Sequence, residues 1–327
     1  MIVFRKRSKK GDGIMECSFG SKKEKAGAIV RLARLHFLIP GILLYMLGAF
    51  LALSRGAAFE LIKIALGYCI FFFAHLSVSF SNDYFDMEGD RYATQTSLSG
   101  GSGVLIKHRE LGSFALKFSI FLIAASIALA LTFTILFDYP ISFLIFSIAG
   151  ALLGWFYTAP PLKLAYRRLG ELSTSLAAGF IMPGMGYFVV FGSIDIWFIL
   201  LSIPLCLYGL YFILTVELPD AEVDKLGGKI NLLVLFNRKI GAAVSLIATL
   251  GGTCIFTFYA ILGTLGNQLD VRGIAALSLI PLGGAFYGLM RNYSNIKETL
   301  NQVKLNFASM MSFLLLSDLY ILLQIAG

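Results

Sequence analysis

Two acidic clusters interrupt an otherwise apolar chain: Asn82-Asp83-Tyr84-Phe85-Asp86-Met87-Glu88-Gly89-Asp90 and Asp220-Ala221-Glu222-Val223-Asp224. Each follows a stretch long enough to cross a bilayer, where carboxylates are costly and are normally kept for a task. If both helices continue through their clusters, Asn82, Asp86 and Asp90 share one stripe, with Asp83 beside it. Asp220 and Asp224 repeat the i, i+4 pair, and Glu217 stands one turn earlier. Such a set would repel itself and raise its own pKa values unless a cation joined it. Carboxylate oxygens suit Mg²⁺, which commonly shares its coordination shell with phosphate oxygens.

The neighbouring cations complete that chemistry. Lys163 follows Tyr157-Thr158-Ala159-Pro160-Pro161, whose prolines predict an extended exit from a span. Arg34 opens the first span, Arg91 follows the first cluster, and Lys225 and Lys229 follow the second. Cations interleaved with metal-binding carboxylates are what a departing diphosphate requires. Arg167, Arg168 and Lys239 read instead as interfacial, topology-setting charges. The run Ser97–Gly103 is glycine-rich and offers backbone N–H groups, though a lid or turn explains it equally well. His36, His75 and His108 share no ligand spacing, and Cys17, Cys69, Cys206 and Cys254 form no metal knuckle or disulfide frame. Asp318, in the last span, reads as a helix-packing polar group outside the site.

The elements that must position these residues are membrane helices. Of 327 residues, 57% are hydrophobic and 14% charged, against about 25% charged in ordinary soluble domains. Breaking the chain at its charges leaves nine apolar segments: Leu35–Ser54, Ile64–Asn82, Phe118–Phe137, Tyr139–Leu162, Leu172–Ile194, Ile196–Val216, Ile240–Leu269, Gly273–Met290 and Leu305–Gly327. We therefore expect an all-α membrane protein of nine transmembrane helices around a central cavity. Residues 1–28 are expected to form a mobile basic cytoplasmic tail and 29–327 a single domain. Among the 27 Lys and Arg, only Arg55, Lys63 and Arg272 fall opposite the N-terminal side, so that side is expected to be cytoplasmic. Both clusters lie on it. The net charge of +8 is then a topology signal rather than a nucleic-acid footprint. The expected surroundings are the lipid bilayer, and no protein partner is implied.

The first cluster resembles the Asn-Asp-x-x-Asp-x-x-x-Asp motif of the UbiA superfamily of intramembrane prenyltransferases, and Asp220–Asp224 resembles that family's second Asp-x-x-x-Asp motif. Tyr157-Thr-Ala-Pro-Pro-Leu-Lys163-Leu-Ala-Tyr166-Arg167, Gly170-Glu171 and Asp224-Lys-Leu-Gly-Gly-Lys229 extend the likeness over roughly residues 30 to 325. It is greatest to the branch that prenylates 1,4-dihydroxy-2-naphthoate in menaquinone synthesis, together with archaeal relatives. The resemblance implies a prenyltransferase of a prokaryotic plasma membrane that transfers a polyprenyl group from its diphosphate to an aromatic acceptor. Two Mg²⁺ ions would be held by Asn82, Asp83, Asp86, Asp90, Asp220 and Asp224. The diphosphate would meet Arg34, Asn82, Arg91, Lys163, Lys225 and Lys229. Asp86, Asp90, Asp220, Asp224 and Tyr157 are the expected catalytic set, with Tyr157 or a second-cluster Asp orienting the acceptor or taking its proton. Glu217, where quinone-type enzymes often carry Asn, and Arg168, where Gly is common, leave the acceptor open to a glyceryl-phosphate ether lipid, haem or chlorophyllide. A secondary transporter with an acidic vestibule is the rival from another class, but its coupling residues would be expected near the midplane. The Asp-Gly-x-x-Ala-Arg start of a CDP-alcohol phosphotransferase is absent.

Overall fold

The computed structural model describes residues 21–92, 101–263, 265 and 269–327. Most of the basic tail, Cys17 and the first part of the glycine-rich run lie outside the described residues. The chain begins with α1 (Lys22–Leu32), N-capped by Ser21, whose hydroxyl accepts from the Glu24 N–H. It continues through α2 (Leu38–Ser54), α3 (Leu61–Phe85), the short α4 (Val104–Lys107), α5 (Gly112–Leu136) and α6 (Ile141–Trp155). Next come α7 (Gly170–Leu176), a π-turn at Ala177–Ile181, α8 (Met182–Phe191), α9 (Ile196–Glu217), α10 (Ala221–Gly227) and α11 (Leu232–Leu235). The chain closes with α12 (Arg238–Leu262), α13 (Arg272–Leu277), α14 (Leu279–Leu289) and α15 (Ile296–Ala326). No strand occurs among the described residues.

Eight helical stretches are long and apolar enough to cross a membrane, and α6 is a ninth apolar helix of only 15 residues. That is shorter than the roughly 20 residues a hydrocarbon core requires. Its predicted segment, Tyr139–Leu162, was longer because the chain after Trp155 is apolar too. That chain folds into turns instead of continuing. The predicted extended exit is likewise replaced: Leu164 and Ala165 donate their N–H groups back to the carbonyls of Phe156 and Tyr157. The reversal satisfies carbonyls that a helix end would otherwise leave without partners.

Lipid tails are as apolar as leucine, so close backbone packing, rather than hydrophobic burial, must hold such helices together. Helix α2 lies against α8, and α3 against α5. At the first of these, a Cβ on Gly48 would fall 1.7 Å from the Pro183 carbonyl oxygen, and one on Gly186 would fall 1.9 Å from that of Tyr45. Only hydrogen fits at either place. Large exposed side chains such as Ile135, Ile247 and Leu323 cover the outer surface, as expected for residues that face hydrocarbon. Asp318 is buried within α15, and its Oδ1 has no hydrogen-bond partner.

Candidate active site

Neither cluster continues its helix as the stripe argument assumed. Helix α3 ends at Phe85 and Asp86 is its C-terminal cap; Asp90 begins a separate 3₁₀ turn, Asp90–Tyr92. Three carboxylates (Asp86, Glu88 and Asp90) within five positions at a C-terminus oppose the helix dipole, and Gly89 lowers helix propensity further. The i, i+4 relation nevertheless survives in backbone hydrogen bonds, from Asp86 N to Asn82 O (2.8 Å) and from Asp90 N to Asp86 O (2.9 Å). In the second cluster α9 stops at Glu217: Leu218 keeps right-handed helical backbone, but Pro219 has no N–H with which to continue the helix. Asp220 becomes the N-cap of the separate helix α10, and Asp224 N reaches Asp220 O at 2.7 Å.

These two breaks bring the clusters together. Gly89 and Gly227 cross so closely that a Cβ on Gly227 would lie 3.0 Å from the Gly89 Cα. Beside the crossing opens a cavity of about 290 Å³, lined by Asn82, Asp83, Asp86, Asp90, Asp220 and Asp224. Arg34, Tyr157, Glu217 and Lys229 line it as well.

Lys229 links the clusters electrostatically. Its Nζ lies 2.7 Å from Asp86 Oδ2 and 3.9 Å from Asp224 Oδ1. Tyr166 donates to Asp86 Oδ1 at 2.7 Å, and Asn231 Nδ2 donates to Asp224 Oδ2 at 2.8 Å. Thr158 donates to Asn82 Oδ1 at 2.8 Å. Asp83, only 3% exposed, accepts from both the hydroxyl and the N–H of Ser102. That N–H, one of those the glycine-rich run offers, is therefore already engaged. Glu171 accepts the N–H of Leu232 and so ties the start of α7 to the start of α11, after the second cluster.

Burial, reinforced by the charge of Asp86, pushes the Asp90 carboxyl up to about 7 against the pull of Lys229. Burial likewise raises Asp224, again against Lys229. Burial alone would lower the Lys229 ammonium, but Asp86 and Asp224 outweigh it and hold Lys229 well above its ordinary value. The site thus carries more carboxylate than its one internal ammonium neutralises, which is the condition under which a hard dication binds. Among the described residues no three His, Cys, Asp or Glu side chains converge tightly enough to enclose an ion. The carboxylates instead form two opposed rows that face one cavity, with Lys229 between them.

Gly101 backs this arrangement. It has φ of +65°, and a Cβ there would fall 2.0 Å from Asp90 Oδ2. Gly101→Ala is therefore expected to push Asp90 out of the cavity and, with Asp90 in the role expected from the sequence, to lower turnover at least about tenfold. Steady-state kinetics at saturating metal would check it, and unchanged kcat would contradict it.

Not every predicted residue reaches the cavity. Arg91 pairs with Glu88 at 2.9 Å and is exposed. Lys225, one residue past Asp224 and hence about 100° round α10, lies in a separate surface groove with Arg238 and Lys239. Lys163 places its Nζ 5.4 Å from the Tyr166 ring centroid, and Lys229 approaches the same ring at 5.9 Å. Arg34 and Lys163 both adopt left-handed backbone, with φ of 45° and 44°, a strained state for non-glycine residues that clusters at functional sites. Sequence reasoning missed Tyr166, Thr158, Glu171 and Asn231 as partners. The first three stand in the motif stretches, whereas Asn231 carries no sequence signal.

The comparisons with known proteins bear on the fold and the family. A model of the UbiA prenyltransferase family matches residues 42–311. A 1,4-dihydroxy-2-naphthoate octaprenyltransferase of Bacillus subtilis (strain 168) is 26% identical over 244 residues, covering 74% of this chain and 75% of that protein. Among solved structures, a UbiA homologue from Archaeoglobus fulgidus bound to GPP and Mg²⁺ superposes with a TM-score of 0.65 at 17% identity, over 91% of this chain and all of that one. A structure described as digeranylgeranylglyceryl phosphate synthase gives 0.62 at 19% identity, over 91% and 99%. At these identities the structural neighbours establish the fold, and the family match covers most of the chain. This chain belongs to the UbiA prenyltransferase family.

Proposed function

We propose that the protein transfers a prenyl group from a prenyl diphosphate to an aromatic acceptor of the quinone-precursor type, with Mg²⁺ at the two aspartate motifs. The observation that carries this reading is the convergence of both motifs on one cavity with Lys229 between them. In support, the relative from Bacillus subtilis is named for a naphthoate acceptor, and the Archaeoglobus fulgidus homologue binds GPP with Mg²⁺. Asp86, Asp90, Asp220 and Asp224, with Asn82 and Asp83, are the residues that would hold the metal. Bound there, Mg²⁺ would neutralise diphosphate oxygens and stabilise the charge that develops on the leaving group.

The chain's own residues have separable tasks. Lys229 and Arg34 place positive charge at the cavity wall, where the bridging oxygen gains its electron pair as the allylic C–O bond breaks. Lys163 would join them if its flexible side chain swung past Tyr166. Tyr166 and Asn231 hold the Asp86 and Asp224 carboxylates in place. The acceptor's nucleophilic carbon attacks the allylic cation, and its proton leaves to a cavity base. Asp220 lines the cavity for that role, and Tyr157 lines it too, to orient the acceptor. The apolar lower wall, which includes Val78, Ile213 and Phe212, excludes water from the cation and suits an isoprenoid.

Purified protein given Mg²⁺, geranyl diphosphate and 1,4-dihydroxy-2-naphthoate should release diphosphate and form prenylated naphthoate. Transfer to a glyceryl-phosphate ether lipid but not to the naphthoate would overturn the aromatic-acceptor assignment. Absence of both donor binding and diphosphate release would overturn the whole reading.

A further inference from the structure

One histidine stands where three cavities meet. The main cavity adjoins two smaller ones of about 70 and 80 Å³. Among the described residues, only His75, Ala177 and Met182 line all three. The first branch runs toward α5 and α6, past Ser126, Phe146 and Ser147; the second runs toward α2 and α15, past Leu44, Met310 and Leu314. Both are apolar in character. The hydroxyls of Ser126 and Ser147 are spent on the carbonyls of Ile70 and Phe143. Such branches suit hydrocarbon, so the imidazole at their junction is chemically out of place.

His75 belongs to the stripe of α3 that carries the first motif. His75, Ser79, Asn82 and Asp86 follow at i, i+4, i+7 and i+11, and all four line the main cavity. Two turns below Asn82, the imidazole lies about 10 Å deeper into the bundle. Its Nδ1 is buried and has no hydrogen-bond partner. That edge of the ring rests on Gly41, where a Cβ would fall 2.5 Å from Nδ1 and from Cε1. An orphaned acceptor is better tolerated than an orphaned donor, which favours the tautomer with its proton on Nε2. A glycine on α2 thus makes room for an imidazole in the wall of the chamber beneath the first motif.

We propose that His75 is the acceptor anchor: its imidazole donates a hydrogen bond to an oxygen substituent of the acceptor, a hydroxyl or carboxylate on an aromatic ring. The chamber between Asn82 and His75 is then the acceptor subsite. The inference rests on the prenyl-transfer reading above. The depth is suitable: a hydrogen bond of about 2.9 Å, the roughly 4 Å from a ring oxygen to a nucleophilic carbon of the same ring, and a reactive approach of roughly 3–3.5 Å together span about 10 Å.

The test separates acceptor from donor. The naphthoate's own fluorescence reads acceptor binding to detergent-solubilised protein directly, whether or not turnover occurs. His75→Leu should weaken 1,4-dihydroxy-2-naphthoate binding, and raise its KM, at least about tenfold, the scale of a lost hydrogen bond to a buried or charged group. Binding of geranyl diphosphate with Mg²⁺, and diphosphate release without acceptor, should stay at wild-type levels. His75→Gln, which keeps a side-chain N–H donor, should lie within about threefold of wild type. Gly41→Ala, which displaces the ring without removing it, should resemble His75→Leu and serves if that variant fails to fold. Acceptor binding within twofold of wild type in His75→Leu or Gly41→Ala would overturn the proposal. So would parallel loss of donor and acceptor binding in a folded His75→Gln protein. Failure of the prenyl-transfer reading would show differently, as absent donor binding in the wild type.

Discussion

Asp86→Ala is expected to reduce Mg²⁺-dependent prenyl transfer by about 10²–10³-fold or more, the range seen when one preorganised electrostatic contact to a reacting centre is removed. Three features of Asp86 converge on this. It caps α3 at the point where the chain turns toward the second motif. Its two oxygens are divided between Tyr166, at 2.7 Å, and Lys229, at 2.7 Å. It is 6% exposed, so no bulk water replaces what the substitution removes. The variant therefore loses a carboxylate proposed to hold Mg²⁺ and releases Lys229 from the position between the motifs. Asp86→Asn should retain the Tyr166 hydrogen bond while losing the charge, and should be nearly as impaired if charge is what matters. Single-turnover diphosphate release checks both. Release at the wild-type rate in Asp86→Ala would rule out the role given to the first motif.

Lys229→Met should have two effects of opposite dependence on metal. Without Mg²⁺, Asp86 and Asp224 would face one cavity with their shared ammonium gone. Removing one member of a buried ion pair costs about 3–5 kcal/mol. The side chains of Lys229 and Asp86 are 21% and 8% exposed, so solvent screening leaves most of that cost in place. The metal-free protein should melt lower than wild type. Mg²⁺ should restore much of the difference, because a dication supplies the charge the lysine supplied. Turnover should stay depressed even so, since Lys229 is also placed to neutralise the leaving diphosphate. Melting curves in EDTA and in excess Mg²⁺, set beside kcat, resolve the two. Equal melting points for variant and wild type in EDTA would show that the Lys229 bridge contributes nothing to the metal-free fold.

Much of the candidate site was legible in the chain because its chemistry is dense in one stretch. A run such as Asn82–Asp90, flanked by apolar spans, has few physical explanations. The Asp220–Asp224 pair doubles the signal. The membrane helices were legible for a similar reason: a long run without charge has no other stable placement. What failed was the assumption that each helix runs on through its cluster. Pro219 and the carboxylates at the end of α3 were visible, but whether they bend a helix or end it depends on what the next segment packs against. Here Gly89 meets Gly227, and that contact is favoured only when both helices stop.

The choice among cations was the least legible step. Arg91, Lys163, Lys225 and Lys229 look equivalent in the sequence, each a residue or a few from a motif. A lysine's reach is long, and one position along a helix rotates its side chain by about 100°. Turn geometry after α10 therefore directs Lys229 inward while Lys225 stays on the surface. Neutral partners were harder still: Asn231 matters only because the loop returns it to Asp224.

By itself the sequence determined the membrane-embedded, all-helical character of this protein, the two aspartate motifs and the family that owns them. These depend on composition and short-range spacing, which the linear order of residues contains. Only the tertiary structure decided that both motifs face one cavity, that Lys229 rather than its neighbours bridges them, and that His75 stands where that cavity divides. Each is a relation between residues far apart in sequence, created where small residues such as Gly41, Gly89 and Gly227 let segments approach. No spacing rule along a single chain encodes a meeting of that kind.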